Sequence, residues 1–558
     1  MNGSWTGVGD DLQRHFCVKA NFKATNATDF SGTIDTFRSC GPSRTSHCTV
    51  QGQVSGLTVT TQTLICQPPN IDPCGLTLHL NATLSSMTGG LSCQAGLSIT
   101  LTKAFSIQDV SQSSGISNQS VQTSGVQWID YNNDKKLDLY LVGHNGNVLF
   151  KNIGKGKFVD VTIATKTGNN GKDASGASWA DIDNDGDLDV FVANATGAPT
   201  LLLNNKTVFQ DISNNIDSAV AKTAGIAILR GGIWVDINND KKSDLFIIFD
   251  GAKNQLFKQT GTLEFNTNIA STAGVDFNGL GRSAIATDFD GDGFQDLYLV
   301  NFGQPNHLYK NNGNETFTDV TQSAGVGFNG KSVQAILSDY DNDQDLDLYV
   351  VNSAGPPVLY QNLGNFKFKN ATSAVLKKAK KGAAAAFFDV DNDQNVDLIV
   401  AQIGAPNLIF ENLGKGKFKI KKGIDLSRPD NPSGIAIGDF NNDGIPDIAI
   451  GDADTDQDHG DSLYQNTGGG ENNYLTLVLR GTKSRRDAIG AQIVIQTGFT
   501  FQTRTITSGS GQSQESLPQQ FGLGPNLKVD RIVIKWPSGT VQEIKDVSAN
   551  KTLTITEP

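Results

Sequence analysis

Asp181 to Val190 reads DIDNDGDLDV, five aspartates in nine residues and then the start of an apolar run. Carboxylates at that density repel one another, so folding them together calls for a positive partner. The same nine-residue pattern occurs seven times: DYNNDKKLD from Asp130, DIDNDGDLD from Asp181, DINNDKKSD from Asp236, DFDGDGFQD from Asp288, DYDNDQDLD from Asp339, DVDNDQNVD from Asp389 and DFNNDGIPD from Asp439. First residues lie 51, 55, 52, 51, 50 and 50 apart, a period that accident does not produce.

The surroundings repeat with the motif. An apolar run precedes it (GVQWI, GASWA, GGIWV), a strand-like run follows (LDLYLV, LDVFVA, SDLFII), and then come LFKN or LYQN and FVDVT or FTDVT. Four short strands in about 50 residues make one propeller blade. The seventh unit lacks its fourth strand, whereas AFSIQDVSQSSGI, Ala104 to Ile116, resembles a fourth strand and precedes the first unit. An N-terminal strand is therefore expected to complete the last blade and close the ring, which removes open sheet edges. An open solenoid is the competing architecture.

Within each nine-residue loop, positions 1, 5 and 9 are Asp and position 3 is Asp or Asn. The expected ligand sets are Asp130, Asn132, Asp134 and Asp138 in the first loop; Asp181, Asp183, Asp185 and Asp189 in the second; and Asp236, Asn238, Asp240 and Asp244 in the third. The fourth has Asp288, Asp290, Asp292 and Asp296, and the fifth Asp339, Asp341, Asp343 and Asp347. Asp389, Asp391, Asp393 and Asp397 form the sixth set, and Asp439, Asn441, Asp443 and Asp447 the seventh. Hard oxygen ligands in this number suit Ca²⁺, with the carbonyl of position 7 as a further donor. An EF-hand would need its last ligand at position 12 and helical flanks, and Mg²⁺ takes fewer protein ligands and keeps its water. Seven Ca²⁺ would move the formal charge from −12 to +2, so the acidic pI of 5.0 need not imply a basic partner. The loops from Asp181 and Asp288, with four carboxylates and Gly186 or Gly293 at position 6, are expected to bind most tightly. Those from Asp130 and Asp236, with Lys-Lys at positions 6 and 7, are expected to bind most weakly.

Outside the repeats the chain is less explicit. At 558 residues it needs several domains, and its 60 Gly and short apolar runs suit strands and turns. No run of residues is long and apolar enough to span a membrane. Cys17, Cys40, Cys48, Cys66, Cys74 and Cys93 all fall in the first hundred residues without a CxxC pair. They read as up to three disulfides of an oxidising compartment, with fifteen connectivities open. Their spacings fit no common zinc pattern. MNGSWTGVGDDLQRHF contains no visible signal peptide. Sequons such as Asn26, Asn81, Asn118, Asn205 and Asn314 are what a composition rich in Asn, Ser and Thr gives by chance.

The repeats resemble the FG-GAP or VCBS-type calcium repeats of integrin α-chain propellers and of secreted bacterial proteins. Beyond Glu471, NNYLTLVLRGTKSRRDAIGAQIVI, SGSGQSQESLPQQFGLG and VDRIVIKWPSGTVQEI resemble the ASPIC and UnbV domain. The combination is similar to the cartilage acidic protein architecture, with Arg485-Arg486 where the family more often has Asn-Arg. The expected fold is all-β: a disulfide-linked β module over residues 1–103, a seven-bladed calcium-binding β-propeller over 104–470, and an ASPIC/UnbV-like β-sandwich over 471–558. Arg486, Asp487 and Trp536 read as turn and packing residues. Trp128, Trp179 and Trp234, each two residues before a first aspartate, read as packing between blades.

By analogy with integrins, a partner would meet the face opposite the calcium loops, where NFGQPNH, NSAGPPV and QIGAPNL lie. On that face GDADTDQDHGD offers Asp452, Asp454, Asp456, Asp458 and Asp461 as a possible eighth cation site, with a solvated loop as the alternative. KKAKK, Lys377 to Lys381, could attract anionic glycans or be a hydrated surface. The expected function is an extracytoplasmic, secreted or cell-surface scaffold that binds a protein or glycan, with no nucleic acid partner and no catalytic residues. The alternative is a polysaccharide lyase or hydrolase. Neither HExxH nor GxSxG is present, and His15, His47, His79, His144, His307 and His459 do not cluster in sequence. No RGD is present either.

Overall fold

A computed structural model describes residues 107–558 apart from 117–120, 430, 455–459, 469–471, 512 and 515–516, and within residues 1–106 it describes the backbone of eight strands. The chain divides into Met1–Ser106 and Ile107–Pro558. In the first unit, strands from Asn2–Asp11 to Ser98–Thr102 pair in chain order as one antiparallel meander. The register sets the backbone of Cys48 opposite Cys66. The cysteine side chains, and with them the disulfide expectation, lie outside the described residues.

The second unit contains a seven-bladed propeller followed by a small sandwich. Blade 2 shows the repeating form: Ala174–Ala180, Asp189–Asn194, Thr200–Asn205 and Val208–Asp211 pair as an antiparallel four-stranded sheet. The first strands of blades 1 and 3 to 7 are Gln122–Ile129, Ile228–Val235, Asn278–Thr287, Ser332–Ser338, Gly382–Phe388 and Pro432–Gly438, and they pack against one another around the central channel. Every one of these strands, like Ala174–Ala180, carries a register shift near its start, which bends it at the channel mouth. Blade 7 takes its fourth strand, Ile107–Asp109, from before blade 1, with Tyr464 opposite Asp109 and Asn466 opposite Ile107. The ring closes as the order of strands in the sequence implies.

The three tryptophans show how neighbouring blades are joined. Each is wholly buried, which contributes about 1.5–3 kcal/mol for a large side chain, and each indole reaches the preceding blade. Trp128 Nε1 donates to Ala436 O at 3.2 Å, Trp179 Nε1 to Gln127 Oε1 at 3.3 Å, and Trp234 Nε1 to Ser178 O at 3.1 Å. Such buried N–H groups need acceptors, and the first strand of the preceding blade supplies them.

After the propeller, Asn473–Arg480 pairs antiparallel with Gln519–Gly524 and parallel with Lys551–Thr556. A second sheet orders Thr500–Thr505, Gln492–Thr497, Lys528–Lys535 and Val541–Ser548. Alternate residues Leu475, Leu477, Ile493, Ile495, Ile532 and Ile534 fill the space between the sheets. Trp536 joins that core and donates Nε1–H to Gln542 Oε1 at 3.0 Å, a packing role.

Candidate metal centre

Every aspartate loop joins the first and second strands of its blade, and its backbone is held by the carboxylates it gathers. At position 1, one oxygen accepts the N–H of position 6 in all seven loops, for instance Gly186 N–H to Asp181 at 2.9 Å. At position 5, a carboxylate oxygen accepts the N–H of position 7 in all seven. This winding needs left-handed backbone at positions 4 and 6. Asn184 has φ 60° and Gly186 φ 102°, while Gly291 takes the place of Asn at position 4 in blade 4. Lys135 and Lys241 hold position 6 at φ 66° and 70°, a conformation that costs a side-chain-bearing residue about 1–2 kcal/mol.

Position 9 ties the loop to the rest of the blade. Asp189 Oδ2 accepts the Ile182 N–H at 2.9 Å and Oδ1 accepts the Asn204 N–H at 2.7 Å. The same bond to the third strand recurs from Asn152, Gln259, Asn311, Asn362, Asn412 and Asn466. In most blades the amide side chain then reaches the position-2 carbonyl of the preceding loop. Asn204 Nδ2 donates to Tyr131 O at 2.8 Å, and Asn152 Nδ2 to Phe440 O at 2.8 Å across the closure. This amide, the last letter of LFKN and LYQN, escaped the sequence reading as a site residue; its recurrence at one place in successive repeats was the available signal.

The residues fit a divalent cation. Oxygens of positions 1, 3 and 9 lie within 4.8 Å of one another in four loops: Asp181, Asp183 and Asp189; Asp288, Asp290 and Asp296; Asp339, Asp341 and Asp347; Asp389, Asp391 and Asp397. The other three loops have Asn132, Asn238 or Asn441 at position 3, where an amide oxygen can stand for one carboxylate oxygen. Buried carboxylate oxygens of Asp138, Asp181, Asp341 and Asp391 have no hydrogen-bond donor. Burial pushes the position-9 carboxyls up, to about 8 at Asp138, Asp189 and Asp296, about 7 at Asp244 and about 9 at Asp347, and well above the ordinary range at Asp397 and Asp447. A bound cation would remove that penalty by favouring the charged form.

The loops differ in their neighbours. Lys310, just before Asn311, places its ammonium against Asp290 and, at 2.7 Å, against Asp292 in the blade 4 loop. Lys421 lies 3.0 Å from Asp391, and Lys136 3.1 Å from Asp134. In blade 3, Glu315 from the neighbouring blade accepts from Asn238 at 3.0 Å and pairs with Lys258. Among the described residues no basic side chain contacts a carboxylate of the Asp181 loop within salt-bridge distance. The Asp181 and Asp288 loops, alike in their acids, thus differ in a lysine that arrives from another strand.

The GDADTDQDHGD segment is arranged differently. Asp456 and Asp458 lie outside the described residues. Buried Asp461 accepts the Asp452 N–H at 2.8 Å and the Thr123 hydroxyl at 3.0 Å, and burial raises its carboxyl to about 7. Asp454 Oδ1 accepts from Asn431 Nδ2 at 2.7 Å. Asp454 and Asp461 therefore anchor the hairpin.

The aspartate-loop face is covered by the C-terminal sandwich. Asp487 Oδ2 accepts the Asp181 N–H at 3.0 Å and pairs at 2.6 Å with the buried Arg485 guanidinium, whose charge opposes the burial-driven rise of the Asp236 carboxyl. Gln394 Nε2 donates to Leu523 O at 2.8 Å, Gly524 N–H to Asn392 O at 2.8 Å, and Gln520 Nε2 to Gly444 O at 2.7 Å. A Cβ on Gly522 would lie 2.0 Å from Asp389 Oδ2, so only glycine fits there. Asp487 is thus more than a turn residue. Sequence reading also missed that the SGSG segment enters the channel. Ser508 Oγ accepts the Trp234 N–H at 3.0 Å, Ser178 Oγ donates to Ser508 O at 3.0 Å, and Ser513 pairs in parallel with Val126. A Cβ on Gly176 would come within 1.9 Å of Gly511 O.

A closed seven-bladed ring with an acidic loop in every blade and a sandwich on its loop face defines a metal-loop propeller of the FG-GAP class. The chain matches the FG-GAP-like repeat over residues 130–192, 236–299, 288–350, 339–400 and 389–450, and the ASPIC and UnbV domain over 481–558, and it is a protein of these two families. It is similar to cartilage acidic protein 1 of Xenopus tropicalis, 30% identical over 194 residues that make up 32% of this chain and 29% of that protein. The Mus musculus protein of that name is 26% identical over 230 residues, 38% of this chain and 34% of that protein. The match spans about a third of these relatives' length. Among solved structures, an Agrocybe aegerita lectin is similar at 18% identity and TM-score 0.40, covering 60% of this chain and 87% of the lectin. Saccharomyces cerevisiae Sqt1 is similar at 10% identity and TM-score 0.39, covering 63% and 98%.

Proposed function

We propose that the protein is an extracellular, calcium-loaded propeller that serves as a binding scaffold for a protein or glycan partner. The carrying observation is the buried carboxyl of raised pKa in every blade, joined in blades 1, 2, 5 and 6 by carboxylate oxygens that lack donors, a set that a divalent cation of oxygen preference satisfies. Positions 1, 3, 5 and 9 would hold the ion. When bound, it supplies charge neutralisation and fixes the hairpin, while the protein's own amides hold the loop in shape and link it to the preceding blade.

The similarity to cartilage acidic protein 1 supports the extracellular placement. Among the described residues no helix is long and apolar enough to cross a membrane. The sandwich covers the calcium-loop face, which leaves the opposite face for a macromolecular partner. There, Lys377, Lys378, Lys380 and Lys381 are exposed beside the loop from Gln402 to Asn407.

The test is calcium stoichiometry by metal analysis after dialysis, together with glycan-array and cell-surface binding with and without calcium. Uptake of several ions per chain and calcium-dependent binding without turnover are expected. Absence of bound calcium, or cleavage of a bound polysaccharide, overturns the reading.

A further inference from the structure

A cavity of about 750 Å³ lies between the sandwich and the loops of blades 7, 1 and 2. Small-ligand sites have this size and gather at domain boundaries. Its roof is the outer face of the sheet whose inner face carries Leu475, Leu477 and Leu479: the alternate residues Thr476, Val478 and Arg480, with Thr552 and Thr554 from the adjoining strand. Its floor presents Asp130, Asp181 and Asp439, each at position 1 of a candidate calcium loop.

Three fixed cations reach the cavity: Lys135, Arg480 and Arg486. None has a carboxylate partner within salt-bridge distance among the described residues. The Arg486 guanidinium sits over the blade 2 loop, where a Cβ on Gly186 would lie 2.5 Å from its Cζ. Asp487, also in the lining, is already paired with Arg485. Calcium in the three loops would offset six of the ten negative charges at positions 1, 3, 5 and 9 and engage the floor carboxylates, which leaves Lys135, Arg480 and Arg486 as the unpaired charges that line the cavity.

The uncharged lining narrows the ligand class. Threonine hydroxyls on the roof and the Asn133, Asn442 and Gln520 amides can donate and accept, as sugar hydroxyls require. Val478, Leu188 and Leu517 add apolar patches for C–H faces. The described lining includes no aromatic ring, so nothing would stack a nucleobase.

We infer that this cavity binds a small hydroxyl-rich anion, a uronate- or sulfate-bearing saccharide of one or two rings, when the loops beneath it hold calcium. The inference rests on the calcium-loaded reading above. It places a ligand site on the covered face, apart from the face left to a macromolecular partner. Arg480 and Arg486 would meet the acidic group, and the threonine rows the hydroxyls.

The test is calorimetric titration of the full chain with a monosulfated, uronate-containing disaccharide in millimolar calcium, using cellobiose and inorganic sulfate as controls. Saturable binding of the disaccharide is expected, with cellobiose silent and sulfate alone at least tenfold weaker. R480Q combined with R486Q should weaken binding at least tenfold while leaving the melting temperature and calcium stoichiometry unchanged. Equal binding by the double variant, by cellobiose or by sulfate alone overturns the assignment. A chain that loads calcium and ignores the disaccharide refutes the site alone. A chain that takes up no calcium refutes the reading beneath it as well.

Discussion

The loops of blades 2 and 4 are close to identical as chemistry and unlike as sites. DIDNDGDLD and DFDGDGFQD share aspartates at positions 1, 3, 5 and 9 and glycine at position 6. In both, three carboxylate oxygens gather within 4.8 Å. The residue before the third-strand amide differs: Leu203 in blade 2, Lys310 in blade 4. An ammonium that touches Asp290 and Asp292 already offsets part of the charge that calcium would neutralise. The charge that a loop presents is therefore set jointly by the loop and by a side chain from a later strand of the same blade.

The largest effect expected is that of removing the metal altogether. Sites of extracellular type contribute roughly 1 kcal/mol each in millimolar calcium, so filling most of seven loops contributes several. Chelation should lower the melting temperature in calorimetry, and a melt indifferent to chelator would break the premise of the comparison. The pH dependence has a defined sign. Carboxyls raised by burial to about 8 at Asp189 and Asp296 favour the folded state when protonated. Their stability contribution is present below the unfolded carboxyl range and is lost as pH rises through the folded values. The metal-free chain should therefore melt lower at pH 8 than at pH 5.5, and calcium should flatten or reverse that slope.

Truncating position 9 separates the two loops. Asp189→Ala strips acceptors from the Ile182 and Asn204 N–H groups, and Asp296→Ala strips them from Phe289 and Asn311. Each should cost about 2–3 kcal/mol in denaturant unfolding, because buried donors are left unpaired. At limiting calcium, bound metal should fall more for Asp189→Ala than for Asp296→Ala. An equal fall for Asp296→Ala would show that Lys310 swings aside and that the loops are equivalent.

The limits of the sequence follow the same line. Period, ring closure and the gathering of the loop aspartates were legible because each is local or repeats: the Ile107–Asp109 strand resembles the fourth strands it replaces. The inward role of Trp128, Trp179 and Trp234 was legible from their matched places. What could not be read is long-range pairing. Asp487 meets Asp181, and Ser508 enters the channel at Trp234. Such contacts join residues whose spacing has no period, and a single sequence carries no trace of them. Asp461 shows the same limit, since its bond to Thr123 joins blade 7 to the first strand of blade 1.

Removing the lysine should bring the loops together. Lys310→Met keeps an apolar stem and deletes the ammonium, which also sits 5.1 Å from the Phe366 ring centroid. Partly exposed pairs of this kind are worth up to about 1 kcal/mol, so calcium affinity at the blade 4 loop should rise roughly fivefold in competition with a chromophoric chelator. Unchanged affinity would mean that calcium and the ammonium occupy different oxygens.

The smallest difference lies at position 6. Gly186 and Gly293 have φ 102° and 90°, so alanine at either site costs at least about 1 kcal/mol from the backbone alone. At Gly293 the new methyl meets nothing within 4 Å, whereas at Gly186 it would lie 2.5 Å from Arg486 Cζ. Gly186→Ala should therefore be the more destabilising by several tenths of a kcal/mol, and the excess should vanish in an Arg486→Ala background, as a double-mutant cycle reads directly. If the cycle shows no coupling, the Arg486 side chain yields freely. The sandwich then holds the blade 2 loop through the Arg486 N–H to Asn184 and through Asp487 on the Asp181 N–H, contacts without a counterpart at the blade 4 loop among the described residues.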